Sequence, residues 1–131
     1  MARDAILYDR DCGFCRWSLG LVLAWDRRGS LRPVALQDGE AEELLRDVPA
    51  DGRMRSWHLV TDQGVRSGGP AAPPLLRRLP GGGPLAEVLD RFPNATEHAY
   101  RWVADNRSTL GKLIPRRAVA RADKRIEARR S

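Results

Sequence analysis

The chain has 131 residues, of which 42% are hydrophobic, so it can bury one modest core and is expected to form a single compact domain. No stretch approaches the ~18 to 20 apolar residues of a membrane span, and the N-terminus lacks the apolar run of a signal peptide, which predicts a soluble, cytoplasmic protein. The net charge of +6 comes from residues 112–131, with eight basic and two acidic side chains, because residues 1–111 carry fifteen of each sign. With two cysteines only three positions apart, a disulfide-stapled secreted fold is also excluded.

The first third of the chain reads as strand, turn, helix and strand. Residues 5–8 form a short apolar strand, and a polar turn leads into an apolar stripe at helical spacing from Phe14 to Trp25. Asp11 is predicted to cap this helix. Residues 31–36 form the second strand, in which Pro33 favours a sheet edge or a strand end because proline cannot donate to a ladder.

The remaining segments are predicted from capping residues, alternation and breaks. Asp38 is expected to cap a short helix through Arg46, residues 48–53 form a loop, and residues 56–61 and 65–67 form a hairpin. Helices follow through Leu79, over 85–92, and over 96–110 with Thr96 as cap. The tail is helical or disordered, and if helical it is expected to project and fray.

Together these elements predict an α/β fold, a thioredoxin-like sandwich with a small mixed β-sheet and extra C-terminal helices. Residues 1–110 are assigned to the redox domain and residues 111–131 to a basic tail. The four tryptophans lie on apolar periodic faces and are expected in the core: Trp17, Trp25, Trp57 and Trp102.

Cys12 and Cys15 form a Cys-x-x-Cys pair between the first strand and its helix, where dithiol redox chemistry is found. Unpaired N–H groups and the helix dipole favour a thiolate at Cys12, which is therefore the expected nucleophile. Cys15 lies one turn further along the helix and is the expected resolving thiol. Asp9 is the better candidate for accepting its proton, because Asp11 is expected to be a cap.

Other roles for the pair are less favoured by the sequence. A zinc site needs two further ligands, yet His58 and His98 lie far apart and without paired spacing, so no metal and no cofactor are expected. His58 is expected to be a strand residue with a hydrogen-bonded polar tip, and His98 an exposed helix residue. Trp17, two positions beyond Cys15, is expected to report the redox state by fluorescence.

At YDRDCGFC the chain resembles the DCC family of thioredoxin-like proteins, proposed thiol-disulfide oxidoreductases named for a D-x-x-C-x-x-C motif. The motif corresponds here to Asp9, Cys12 and Cys15, although Arg10 stands where the family usually has glycine. Further landmarks are DRRG at 26–29, RPVALQ at 32–37, RSGGPAAPPLLRRL at 66–79 and HAYRWVADNR at 98–107. The cis-proline of most thioredoxin-like proteins has no clear counterpart before SWHLVT. The resemblance covers roughly residues 5–110 and implies an activity class without a substrate.

Three functional hypotheses follow. The first is a thiol-disulfide oxidoreductase acting on protein or low-molecular-weight thiols and disulfides. The second is a redox sensor, in which oxidation of the pair changes a partner surface. The third is a binding module whose basic tail docks on nucleic acid, an anionic membrane or an acidic partner, although a merely solubilising tail is preferred. No aromatic residue follows Trp102, so stacking residues typical of single-strand binders are missing from the tail.

Overall fold

The computed structural model describes residues 3–54 and 56–130. A four-stranded mixed sheet has the strand order β2-β1-β3-β4. Its strands are β1 (Asp4–Tyr8), β2 (Leu31–Ala35), β3 (His58–Thr61) and β4 (Gly64–Ser67). The helices are α1 (Gly13–Trp25), α2 (Gly39–Leu44), α3 (Ala50–Arg53), α4 (Ala72–Arg78), α5 (Gly83–Arg91), α6 (Pro93–Asp105), α7 (Arg107–Lys112) and α8 (Arg116–Arg130).

The connections between these strands give the topology of a thioredoxin-like fold. Strands β1 and β2 are parallel and are joined through α1, whereas β3 runs antiparallel to β1 and forms a hairpin with β4. The predicted α/β sandwich, its mixed sheet and the hairpin are therefore confirmed. Pro33 lies in the middle of β2, which is an edge strand, one of the two placements predicted for it, so its missing N–H costs the sheet little.

The core occupies both faces of the sheet, because side chains of β1 alternate between them. Ile6 and Tyr8 face a cluster that includes Leu19 and Leu23 of α1. Ala5 and Leu7 face the opposite cluster, built with residues of β2 and α2. Strand β1 is consequently buried on both sides. The turn that follows it and leads to Cys12 is therefore anchored to a rigid strand.

Several predicted local features are wrong. Residues 48–53 are not all loop, since α3 forms there. The helix predicted over 96–110 begins at Pro93 and is interrupted at Asn106, and Thr96 does not cap it but donates its hydroxyl to the carbonyls of Leu89 and Phe92. Helix α2 ends before Arg46.

Asp38 occupies the N-cap position of α2 but makes no capping hydrogen bond with its side chain. Its carboxylate instead forms ion pairs with Arg10 and Arg130, each at 3.3 Å. The local preference for a cap is overridden by two cations that only the tertiary fold brings close.

The expectation that the tryptophans are core residues is wrong for two of the four. Trp25 and Trp102 are exposed, whereas Trp57 packs partly buried against the core. Trp17 is half-buried, with its ring centroid 5.9 Å from that of Phe14. Apolar periodicity did not distinguish a core face from a surface face here, because tryptophan's amphipathic ring tolerates both.

The C-terminal segment is helical and does not project: α8 lies along α1. Its Ala122 and Ile126 are buried, and Gly20 of α1 permits the contact, since a Cβ at Gly20 would lie 2.8 Å from the Cα of Ala122. Arg16 of α1 also pairs with Asp123 of α8 at 2.9 Å. The division of the chain at residues 110 and 111 stays a prediction. None of the described helices combines the length and apolarity needed to cross a membrane.

Candidate active site

Cys12 is the residue that caps helix α1. Its backbone is extended, with φ −101° and ψ 113°, and its Sγ accepts a hydrogen bond from the Cys15 N–H at 3.3 Å. The Cys12 N–H donates to the Asp9 carbonyl at 3.2 Å, which closes the turn after β1. The prediction that Asp11 caps this helix is therefore wrong. A sulfur at the cap position faces the positive end of the helix dipole and the first backbone N–H groups of α1.

Cys15 lies one turn into α1, close to Cys12, and its ionisation is strongly disfavoured. Burial raises the pKa of the Cys15 thiol to about 12, with further contributions from its hydrogen bond to the Cys12 sulfur and from the negative charge there. Arg107 opposes these effects and Asp9 adds to them. Both cysteines are free thiols in this structure. The two sulfurs of one short motif thus occupy different electrostatic environments.

Asp9 follows β1 directly, and its side chain is mostly buried. One carboxylate oxygen, Oδ1, accepts the Asp11 N–H at 3.0 Å and the Gln37 side-chain amide at 2.8 Å. Gln37 also accepts the Arg10 N–H at 3.1 Å, so the end of β2 is tied to the cysteine turn through one side chain. Asp9 is therefore held with Oδ1 occupied. Its second oxygen, Oδ2, faces Arg107.

Arg107 is a site residue that was not predicted from the sequence. One guanidinium nitrogen, Nη1, lies 4.0 Å from the Cys15 Sγ, and the other, Nη2, lies 4.0 Å from Asp9 Oδ2. The helix interruption at Asn106 makes Arg107 the first residue of α7, at the bend between α6 and α7. The sequence signal that could have identified Arg107 is its position at the end of the landmark HAYRWVADNR. Gln37 likewise ends the landmark RPVALQ.

A cavity of about 310 Å³ opens beside Cys15. Its walls are mainly apolar and aromatic, and include Phe14, Val22, Trp57, Leu75, Tyr100 and Val103. Asp9, Cys15 and Arg107 also line it, whereas Cys12 does not. The volume is at the lower end of the ~300 to 1,000 Å³ found for small-molecule sites.

Tyr100 is held in the cavity wall by close packing against Gly68. Gly68 has a φ of +64°, and a Cβ there would lie 3.1 Å from the Tyr100 ring. Burial raises the pKa of Tyr100, although hydrogen bonding to the backbone of Trp57 and the side chain of Ser56 opposes this rise. The glycines of RSGGP therefore allow α6 to pack closely against the segment that follows β4.

The two histidines lie outside this site. His58 is buried in β3, with Nε2 2.8 Å from the Arg53 carbonyl and Nδ1 2.5 Å from the Ser67 hydroxyl. Burial lowers its pKa, with the hydrogen bond to Arg53 acting in the opposite direction. The predicted hydrogen-bonded strand histidine is confirmed, as is the exposed position of His98. Within residues 3–54 and 56–130, no group of three metal-ligating side chains occurs.

The fold and the site define a class of protein: a thioredoxin-like α/β domain with a Cys-x-x-Cys dithiol at the start of its first helix. A comparison with protein families matches residues 6–113 to the DCC1-like thiol-disulfide oxidoreductase family. The chain belongs to this family, which confirms the resemblance seen in its sequence. No significant match was found among curated proteins or among solved structures.

Proposed function

We propose that this protein is a thiol-disulfide oxidoreductase in which Cys12 is the nucleophile and Cys15 the resolving thiol. The carrying observation is the contrast between the two sulfurs. Cys12 Sγ is a helix cap that accepts a backbone N–H, whereas the Cys15 thiol is held protonated by burial and by its hydrogen bond to Cys12. Family membership supports the same class of activity.

The proposed reaction proceeds in two exchanges. The Cys12 thiolate attacks one sulfur of a substrate disulfide, forming a mixed disulfide and releasing the first substrate thiolate. The Cys15 thiolate then attacks the Cys12 sulfur, forming the Cys12–Cys15 disulfide and releasing the second thiolate. Two electrons pass from the protein dithiol to the substrate. Two thiols, or one dithiol, of protein or low molecular weight then return the protein to its dithiol form and are themselves released as a disulfide.

The second exchange requires a proton acceptor, because burial raises the pKa of the Cys15 thiol and keeps it mainly protonated at neutral pH. Asp9 is proposed to accept that proton, since its carboxylate lines the same cavity as Cys15. Arg107 is proposed to stabilise the Cys15 thiolate while it attacks, because a cation near the sulfur favours its charged form.

Cysteine variants test the assignment directly. Serine is a good helix cap, so Cys12→Ser is expected to keep the fold while losing disulfide reduction. Cys15→Ser is expected to accumulate a mixed disulfide at Cys12, detected by intact-protein mass spectrometry after exposure to an excess of substrate disulfide. Equal reduction rates in the wild type and both variants would refute the proposed function.

Turnover distinguishes a redox sensor from an oxidoreductase. An enzyme reduces many equivalents of disulfide when a low-molecular-weight thiol is supplied, whereas a sensor is oxidised once per chain. Multiple turnovers per Cys12 therefore favour the oxidoreductase. A single stoichiometric oxidation favours the sensor.

Docking of the tail on an anionic partner stays a prediction, and substitution tests it better than deletion does. Deleting residues 115–131 would remove Ala122 and Ile126 from the core, so loss of binding would be ambiguous. Arg117, Arg121 and Arg125 are exposed at four-residue intervals along α8 and form one basic stripe. Replacing all three by glutamine, with unchanged retention on heparin and anionic vesicles, would exclude this role.

A further inference from the structure

The cavity beside Cys15 combines three features that recognise a ligand: apolar and aromatic walls, a guanidinium and a thiol. At about 310 Å³ it can hold a small molecule or one side chain, and a length of folded polypeptide does not fit. Because Cys15 lines the cavity and lies next to Cys12, a molecule bound there is adjacent to the reacting sulfurs.

The charge in the cavity indicates the ligand's polarity. Asp9 and Arg107 are the charged residues among the described lining. Asp9 already accepts two hydrogen bonds of 2.8 and 3.0 Å, whereas the contacts found for Arg107 among the described residues are 3.5 Å or longer. A guanidinium carries five N–H donors, so Arg107 retains donors for an anionic group. A carboxylate is the anion whose planar geometry matches them.

The segment before β3 argues against an extended peptide as the ligand. A substrate strand needs free main-chain groups with which to pair. The Trp57 carbonyl accepts the Gly68 N–H at 3.2 Å, and the backbone of Trp57 also hydrogen bonds with Tyr100. The main chain of Trp57, which borders the cavity, is thus already engaged within the protein.

We infer that the cavity is the binding site for a low-molecular-weight disulfide that carries an apolar, preferably aromatic, body and a carboxylate. The aromatic body packs against Phe14, Trp57 and Tyr100, and the carboxylate pairs with Arg107. This inference rests on the proposed function and specifies its substrate class. The chemistry is the two-step exchange given above, so each disulfide yields two thiolates and the Cys12–Cys15 disulfide.

Binding can be measured without any reaction, using naphthoate as a thiol-free probe and naphthamide as its uncharged counterpart. By calorimetry, the reduced wild type is expected to bind naphthoate about tenfold more tightly than naphthamide. One charge-assisted hydrogen bond accounts for a difference of about this size. Arg107→Gln is expected to abolish this preference while still binding naphthamide. Absence of naphthoate binding to the wild type, or an unchanged preference in Arg107→Gln, would overturn the inference.

Filling the cavity provides the second test. Ala104 lines the cavity from α6, whereas Ala99 lies on the same helix and is exposed outside it. Ala104→Phe is expected to weaken naphthoate binding by about tenfold or more, with a smaller loss in Ala104→Val and none in Ala99→Phe. If Ala104→Phe fails to fold, Ala104→Val carries the test. Equal naphthoate binding by the Ala104 and Ala99 variants would contradict the assigned site.

Turnover links the cavity to the redox pair. With dithiobis(nitrobenzoate) as the aromatic carboxylate disulfide and cystamine as an aliphatic cationic one, Ala104→Phe is expected to lower the ratio of their kcat/KM values about tenfold. An unchanged ratio would overturn the inference. Naphthoate binding without Cys12-dependent turnover would refute only the proposed function, and turnover without naphthoate binding would refute only the cavity assignment.

Discussion

Two aspartate–arginine pairs lie at opposite ends of α1, and they differ in how completely their hydrogen-bonding groups are used. At the C-terminal end, Arg129 of α8 contacts the Asp26 carboxylate at 2.6 Å and donates to the carbonyls of Leu23, Asp26 and Leu31 at 3.2 to 3.3 Å. At the N-terminal end, Arg107 lies 4.0 Å from Asp9 and 4.0 Å from the Cys15 sulfur.

The pair formed by Asp26 and Arg129, here the close pair, has the properties of a structural element. Asp26 is fully buried, and it also accepts the N–H and hydroxyl of Ser30 and the N–H of Leu31. Burial alone disfavours its charged form, yet the hydrogen bonds from Leu31, Ser30 and Arg129 together outweigh burial and lower the pKa of Asp26. The pair formed by Asp9 and Arg107, here the loose pair, leaves guanidinium donors and the Cys15 thiol facing the cavity. A fully used pair stabilises the fold, and an incompletely used one is available for chemistry.

The largest effect is expected from breaking the close pair. Arg129→Gln leaves the Asp26 carboxylate buried beside a neutral amide, which is expected to reduce the free energy of unfolding by about 3 to 5 kcal/mol. Urea unfolding followed by circular dichroism measures this loss. Arg125→Gln, an exposed substitution on the same helix, is the matched control and is expected to change stability by less than about 0.5 kcal/mol. Equal midpoints for the two variants would contradict a structural role.

The same pair predicts how stability depends on pH. Because the pKa of Asp26 is lower in the folded than in the unfolded state, its contribution is present above the unfolded value and is lost as pH falls through the folded one. The wild type should therefore lose stability in acid more steeply than Asp26→Asn. Parallel stability curves for the two proteins between neutral pH and strong acid would exclude this linkage.

A smaller loss of stability is expected from the contact between α1 and α8. Gly20→Ala places a methyl group against the backbone of Ala122, which is expected to cost about 1 to 3 kcal/mol by overpacking. Gly39→Ala is the control, because nothing lies within 4 Å of a Cβ there. Thermal unfolding measures both. Retention of full stability in Gly20→Ala would mean that α8 readily shifts away from α1.

At the loose pair, the expected effect is on rate. Arg107→Gln removes the cation beside Cys15 and is expected to slow resolution of a preformed Cys12 mixed disulfide about tenfold, equivalent to about 1.4 kcal/mol, with the stability nearly unchanged. Stopped-flow measurement of thiol release determines the rate, and Arg107→Lys should recover part of it. Arg101→Gln, exposed on α6, is the charge-matched control. A loss of stability without a change in resolution rate would assign Arg107 to structure.

Asp9→Asn tests the proton acceptor through the pH profile. In the wild type, the resolution rate should vary weakly between about pH 6 and 8, because the carboxylate accepts the Cys15 proton. In the variant, resolution must await spontaneous ionisation, so the rate should rise by up to tenfold per pH unit as long as burial keeps the Cys15 thiol mainly protonated. Identical profiles would remove Asp9 from the proton transfer.

The smallest expected effect is optical. Trp57 lines the cavity with Cys15, whereas Trp17 packs against Phe14. Trp17 is predicted to report oxidation of the pair, and we expect the larger part of the emission change to come from Trp57. Emission spectra of Trp17→Phe and Trp57→Phe, each reduced and oxidised, separate the two contributions. Unchanged spectra on oxidation would refute both assignments.

The sequence by itself was sufficient for the local elements and for the cysteine motif. Alternation and apolar periodicity are local properties, so β1, α1, the hairpin and the edge position of Pro33 could be predicted from short segments. The same holds for the order of elements that defines the thioredoxin-like topology. Asp9 was recognised because it lies three positions before Cys12 in a spaced motif.

Only the tertiary structure decided which distant residues meet these elements. Arg107 lies 92 positions from the cysteine that it contacts, and its place at the end of HAYRWVADNR does not by itself indicate that it meets the cysteine pair. Cys12 displaced Asp11 as the cap because the Asp9 turn places the sulfur over the first helical N–H groups. The α8 helix, too polar to predict its own packing, is held by Gly20 and by the buried Asp26 carboxylate, whose requirement for a cation exists only once the chain is folded.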